Sequence, residues 1–176
     1  LYSNNIKPSV ILEIYNAKNM GDIASDTTNK QAVLSFLDEV MNPKDLVQFF
    51  NTYVDADYKK GVDDKVSKFV GDPGTSTHGT GEASLDIQYI MGVAPGVPTE
   101  FWSFGKTGSY NFCGQVHNFT TTLLNSESPP LVTSMSYCFE FSGGTEFSGC
   151  TDTEMLAVEN DLMKIAARGL TIIASS

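Results

Sequence analysis

Apolar segments of two kinds alternate along this chain, and that alternation limits the fold more than any other feature of the sequence. Short runs rich in β-branched residues predict strands, and longer runs with apolar residues three or four positions apart predict helices. We expect strands over residues 66–70, 98–104, 131–137 and 170–174, and helices over residues 8–15, 31–41, 43–50, 81–92, 111–124 and 151–169. Helices alternating with strands favour an α/β domain with a mainly parallel sheet and helices on its faces. In such folds, functional groups collect at the carboxyl ends of the strands.

Residues typical of helix ends support several of these boundaries. Asn42 and Pro43 read as the N-cap and first residue of one helix. Thr151 and Glu154 have the spacing of a capping box that opens another helix. Gly169 is suited to the position just after the end of that helix.

The composition excludes some classes of partner. The chain has 176 residues, with 11 basic and 21 acidic side chains and a formal net charge of -10. Such a charge argues against a nucleic-acid or anionic-membrane partner. No run approaches the roughly 18 apolar residues of a membrane span. The sequence begins without Met or a signal-peptide pattern and ends in a predicted strand, so we expect a processed or excised chain.

Three cysteines and a glycosylation sequon favour a secretory or lysosomal compartment. The cysteines are Cys113, Cys138 and Cys150. Their number is odd, so at most one disulfide can form within the chain, and the remaining thiol is free or pairs elsewhere. The sequon places a candidate glycan on Asn118.

Two carboxylates, Glu82 and Asp86, are the strongest candidates for chemistry. Their spacing puts them on one face of the predicted helix over residues 81–92, where like charges repel. Partial burial would raise at least one pKa and let the pair share a proton. Glu82 could then act as a general base at low pH, with Asp86 orienting it. Spacing alone favours the alternative, a solvated first helical turn.

His78 offers a rival centre. The segment "STHGTG" resembles the His-Gly-Thr segment of subtilisin-like proteases, which would also need an aspartate turn after an earlier strand. Asp72 is the most turn-like upstream candidate, and it lies too near in sequence, so we interpret His78 as a loop residue. A zinc site is not predicted, since His117 is distant and no ligand spacing fits. The glycines near residue 80 lack the Lys of a phosphate-binding loop.

The stretch "GTGEASLDIQYIMGVAP" closely resembles the Glu-x-x-x-Asp signature of the sedolisin, or serine-carboxyl peptidase, family. It is most similar to the eukaryotic tripeptidyl peptidase branch (physarolisin-like or lysosomal), whose version also reads Glu-Ala-Ser-Leu-Asp-x-Gln-Tyr. The stretches "KPSVILEIYNA", "VTSMSYC" and "NDLMKIAARGLTIIASS" resemble further parts of these enzymes, in the same order.

The resemblance implies a subtilisin-like α/β fold and peptide hydrolysis at acid pH. Glu82 would be the base and Asp86 its partner, acting with a serine nucleophile and an oxyanion aspartate. By the resemblance, the oxyanion aspartate would follow Ser176 almost immediately and the calcium site would lie near the family's C-terminus, so both are expected outside this sequence. The serine is expected further on as well, because the one Gly-Thr-Ser segment here, ending at Ser76, precedes the signature. Residues 1–176 would then be the N-terminal part of a single peptidase catalytic domain, with a second chain or downstream sequence supplying the rest.

The same resemblance suggests residues beside a peptide substrate. Ser134, Ser136 and Tyr137 would run along it as backbone partners, although an ordinary buried strand end is an equal alternative. Cys138 stands where most relatives have Gly, and it offers a possible disulfide to Cys150. We expect a lysosomal or secreted peptidase that releases N-terminal tripeptides. The alternatives are an endopeptidase of the same family, a catalytically inactive binding fragment, and a subtilase that uses His78.

Overall fold

A computed structural model of the chain describes residues 6–17, 28–55, 57–72, 77–105, 112–137 and 150–175. Five helices and five strands occur in these ranges. In chain order they are α1 (Pro8–Ile14), β1 (Gln31–Ser35), α2 (Pro43–Tyr53), β2 (Lys68–Gly71), α3 (Gly81–Val93), β3 (Thr99–Ser103), α4 (Phe112–Leu124), β4 (Val132–Met135), α5 (Asp152–Ala167) and β5 (Thr171–Ala174).

The strands form one sheet in the order β2-β3-β1-β4-β5, and every neighbouring pair is parallel. In the middle of the sheet, Val33 lies opposite Phe101 of β3 on one side and Ser134 of β4 on the other. The predicted α/β class with a parallel sheet is therefore confirmed, as a subtilisin-like fold requires.

The helix predicted over residues 31–41 is wrong, because its first half is the central strand β1. Ala32, Val33 and Leu34 are at most 1% exposed. A parallel strand with both faces covered is a continuous apolar run, and such a run also satisfies the spacing of a helix. The residues after Ser35 form a turn and an extended segment that lead to α2.

Helices cover the two faces of the sheet and form two apolar cores. Alternate side chains of β1 point into different cores, as the two-residue period of a strand requires. The core beneath α4 and α5 includes Leu34, Trp102 and Phe119. The core beneath α2 and α3 includes Val33 and Phe101. No helix in the described ranges is long and apolar enough to cross a membrane.

The predicted helix ends agree with the structure. The Asn42 side chain accepts a hydrogen bond from the Lys44 N–H at 2.8 Å and caps α2. Thr151 and Glu154 form the capping box at the start of α5. Gly169 follows that helix with φ of 76°, a backbone conformation that favours glycine.

One disulfide joins Cys113 to Cys150, with 5.6 Å between the two Cα atoms. This pairing corrects the expected disulfide between Cys138 and Cys150. Cys138 itself lies outside the described residues. Cys113 is in the first turn of α4 and Cys150 directly precedes the capping box of α5, so the bond fastens the starts of two adjacent helices. The sequence could limit the number of bridges but not choose the pair, because the pairing depends on how α4 and α5 pack.

A buried carboxylate, Asp161, ties α5 to α4 further along. Its oxygens lie 2.9 Å from Lys164 Nζ, 3.1 Å from His117 Nδ1 and 3.1 Å from Thr120 Oγ1. Burial by itself would raise the pKa of the Asp161 carboxyl. Hydrogen bonds from Lys164 and Thr120, with the charges of Lys164 and His117, outweigh that effect and hold the pKa below its ordinary value of 3.8.

We expect Asp161→Asn to lower the free energy of unfolding by about 1–2 kcal/mol at pH 7, because a charge-assisted network loses its charge. The folded-state pKa is depressed, so this contribution is complete above the ordinary value of 3.8 and disappears as the pH falls through the folded-state value. Urea unfolding of both proteins at several pH values measures the difference. Glu159→Gln, an exposed position on the same helix, is the control. A difference that persists unchanged at the most acid pH would contradict the role of the Asp161 charge.

Candidate active site

Helix α3 presents Glu82 and Asp86 on one face, and Asp86 lies near Ser136, just after β4. Ala83, Ile87 and Met91 are buried beneath the helix and anchor it to the sheet. Glu82 is in the first turn and Asp86 is one turn later, and both side chains are half-buried. Residues four apart share a helix face, so the two carboxylates are neighbours on α3.

Asp86 is linked to the end of β4. Ser136, the first residue after that strand, is the neighbour whose side chain favours the ionised form of the Asp86 carboxyl. Partial burial raises the pKa of the Asp86 carboxyl above 3.8, and the like charge of Glu82 adds to the rise, whereas the hydrogen bond with Ser136 opposes it. Two of the predicted site regions, the helical carboxylates and the segment after β4, therefore meet at Asp86.

The pair is not enclosed by the residues that surround it in sequence. Leu85, which lies between them in the sequence, is 52% exposed. In the described part of the chain, Glu82 and Asp86 therefore keep an open side. That openness matches a site to which a further group or a substrate has access.

Tyr137, next to Ser136 in the sequence, is hydrogen-bonded to the residue that follows β1. Its hydroxyl accepts a hydrogen bond from the Phe36 N–H and donates one to the Phe36 carbonyl, each at 3.2 Å. Burial raises the pKa of the Tyr137 phenol. The carboxylates of Glu39 and Glu82 add to the rise, and hydrogen bonds with Phe36 and Ser35 oppose it. Tyr137 thus stays protonated while it connects the segment after β4 to the end of β1.

The three predicted substrate-side residues differ in position. Ser134 lies inside the sheet, opposite Val33 of β1 and Ile173 of β5, so it has a strand neighbour on each side. Ser136 and Tyr137 follow the carboxyl end of β4. Of the three residues, only Ser136 and Tyr137 therefore lie beyond the paired part of the strand.

The sequence did not predict a role for Glu39, whose carboxylate lies at the first turn of α3, the turn that carries Glu82. It follows Leu37 and Asp38, whose φ angles of 54° and 62° are in the left-handed region. Such a conformation costs about 1–2 kcal/mol for each non-glycine residue. The Glu39 carboxylate accepts hydrogen bonds from the Thr80 hydroxyl and from the Ala83 N–H. A polar residue after a strand end was the available signal, but it was hidden because residues 31–41 were interpreted as a helix.

The other candidate positions lie elsewhere. His78 is an exposed loop residue just before α3, as predicted. Asn118 is exposed on α4, and the Gly-Thr-Ser segment ending at Ser76 lies outside the described residues. Within the ranges that the structure describes, no three His, Cys, Asp or Glu side chains are grouped so that they could hold a metal ion.

A pocket of about 420 Å³ separates α2 from α3. Its lining residues include Phe49, Ser84 and Gln88, but neither Glu82 nor Asp86. The pocket therefore lies on the α2 side of the helix, away from the carboxylates. We do not place the substrate there.

Comparisons with known proteins agree with the signature. No protein-family model matches the chain. Tripeptidyl-peptidase 1 of Bos taurus is 31% identical over 172 residues, and those of Homo sapiens and Mus musculus are each 30% identical over 172 and 173 residues. Each match covers 97% of this chain, whereas the chain spans 28% of the length of each relative. This similarity along nearly the whole chain, with the Glu82–Asp86 signature on one helix face, shows that the chain belongs to the sedolisin family and resembles its tripeptidyl-peptidase branch.

Proposed function

We propose that this chain supplies the general base of an acid-acting serine-carboxyl peptidase. The observation that carries the proposal is the pairing of Glu82 with Asp86 on one face of α3, beside Ser136, where burial and the charge of Glu82 raise the pKa of Asp86. A glutamate can take the proton of a serine nucleophile only while it is ionised. The raised pKa of Asp86 favours its protonated form, in which it can donate a hydrogen bond to Glu82 and hold it in place.

The serine nucleophile and the oxyanion aspartate come from polypeptide other than these residues. Peptide hydrolysis then starts when the serine hydroxyl attacks the carbonyl and its proton passes to Glu82. Glu82 returns that proton to the leaving amine. The oxyanion aspartate must be protonated to donate a hydrogen bond, which sets a second requirement for acid. Calcium, expected from the family resemblance, would be held by that same additional polypeptide.

The substrate lies along the segment after β4. Ser136 and Tyr137 are beyond the end of the strand; Ser136 is a neighbour of Asp86, and Tyr137 is hydrogen-bonded to the Phe36 backbone just after β1. They can offer backbone groups to an extended peptide, whereas Ser134 can contribute only its half-buried side chain or a neighbouring position. Release of N-terminal tripeptides is the proposed outcome, supported by relatives named tripeptidyl-peptidase 1. We further propose that the protein works in an acidic lysosomal or secreted compartment and carries a glycan on Asn118, which is exposed.

The partner is the C-terminal part of the same catalytic domain, on a second chain or in downstream sequence. A parallel sheet normally has both faces covered. On the face opposite α4 and α5, Val132 of β4 is 37% exposed and Ile173 of β5 is 59% exposed. This apolar surface, defined by Val132 and Ile173, adjoins Ser134 and therefore the Asp86 end of the site. Polypeptide that covers it would reach Glu82 with little extra length.

Glu82→Gln should lower kcat by about 100-fold or more at about pH 4, because the amide cannot accept the serine proton. The assay uses the complete native enzyme and a peptide substrate. His78→Ala is the matched control, and it should keep nearly full activity. Turnover retained by Glu82→Gln would reject the assigned base, and loss in His78→Ala with activity rising toward neutral pH would favour a subtilase.

The products separate the exopeptidase from the endopeptidase. We expect unblocked peptides to lose successive N-terminal tripeptides, and the same peptides with an acetylated N-terminus to resist cleavage, because the free amine marks the substrate end. Mass spectrometry of timed digests measures both. Internal cleavage of the acetylated peptides at a comparable rate would instead support an endopeptidase.

The apolar surface predicts a partner that can be detected. Intact mass and N-terminal sequencing of the native protein, with and without reductant, should reveal either a longer polypeptide or a second chain. Ile173→Lys should reduce activity or retention of that polypeptide, because it places a charge in the contact. Val62→Lys, at an apolar residue that is 64% exposed, is the control. A native protein of 176 residues without a partner and without turnover would support the inactive binding fragment.

A further inference from the structure

Helix α3 does not cap its own N-terminus. Its N-cap residue, Thr80, makes no side-chain hydrogen bond to the first turn. The Ala83 N–H, which an N-cap side chain would usually satisfy, instead donates to Glu39 Oε2 at 3.3 Å. The Thr80 hydroxyl donates to the same oxygen. Glu39 therefore does from another segment what the N-cap residue normally does.

Two further hydrogen bonds fasten the same segments together. The Val40 N–H donates to Thr80 Oγ1 at 2.9 Å, and the Thr80 N–H donates to the Val40 carbonyl at 2.8 Å. The segment that leaves the central strand is thus joined, over two consecutive residues, to the start of the helix that carries Glu82.

Glu39 is itself held from the sheet side. Its N–H donates to the Phe36 carbonyl at 3.0 Å, and its carbonyl accepts from Ser35 Oγ at 2.6 Å. The strained residues Leu37 and Asp38 turn the chain so that the carboxylate faces α3. Strain of this kind persists where the surrounding structure enforces it, and it is concentrated at functional sites.

We propose that Glu39 is a positioning residue for Glu82, an inference that rests on the proposed function of Glu82 as the base. Glu82 and Ala83 are adjacent in the first turn of α3, so a bond to the Ala83 N–H fixes the turn from which the Glu82 side chain extends. A carboxylate also suits the positive end of the helix dipole. Its loss would let the first turn shift relative to β1 and Tyr137, and small displacements of a catalytic group are costly in rate.

Glu39→Ala should lower kcat by roughly 10- to 100-fold while KM stays within about twofold, because the base is displaced and the substrate contacts are not. Glu39→Gln should recover most of the kcat, since its amide oxygen can accept both hydrogen bonds. The measurements are kcat, KM and thermal stability of the complete enzyme. Glu39→Met, which keeps the length but has no oxygen, replaces Glu39→Ala if that variant does not fold.

Asp45→Ala is the matched control. The Asp45 carboxylate accepts the Gly79 N–H at 3.1 Å, in the same loop, but its bond is outside the first turn of α3. Asp45→Ala should change stability with little effect on kcat. Equal losses of kcat in Asp45→Ala and Glu39→Ala would overturn the inference, as would wild-type kcat in Glu39→Ala or no recovery in Glu39→Gln. An inactive Glu82→Gln beside a fully active Glu39→Ala would reject this inference alone, whereas an active Glu82→Gln would reject the proposed base.

Discussion

The burial of β1 on both faces and along both edges is the constraint on which the rest of the fold depends. β1 pairs with β3 and β4, and its side chains divide the two apolar cores. Phe36, directly after the strand, lies within 6.5 Å of the ring centres of Phe104, Phe112, Phe119 and Tyr137. Packing of this density leaves the end of β1 almost no freedom. The residues that follow β1, including Glu39, are consequently held in fixed positions.

The ionisable groups of the candidate site lie next to this rigid strand end and act on one another. Glu39 and Glu82 both raise the pKa of Tyr137, and Glu82 also raises that of Asp86. The three segments that carry these residues come from different parts of the sequence, and hydrogen bonds join Glu39 to the start of α3 and Tyr137 to the backbone of Phe36. For both pKa values burial is the larger cause, and the nearby like charges add to it by favouring the protonated form of Asp86 and of Tyr137.

The structural features that depend only on residues close together in the sequence could be predicted. The caps at Asn42 and Thr151 are local hydrogen-bonding patterns, and the carboxylate spacing on α3 follows from helix geometry alone. The central strand could not be recognised, because a strand buried on both faces has no alternation to distinguish it from a helix. The same error concealed Glu39. The pairing of Cys113 with Cys150 depends on how α4 packs against α5, which no local pattern encodes.

The disulfide has a topological consequence for the site. Cys113 and Cys150 are 37 residues apart, and the covalent ring that they close contains β4, Ser136 and Tyr137. A single break of the backbone anywhere within that ring leaves both fragments attached to each other. The residues proposed to meet the substrate would thus stay with the protein after one accidental cut.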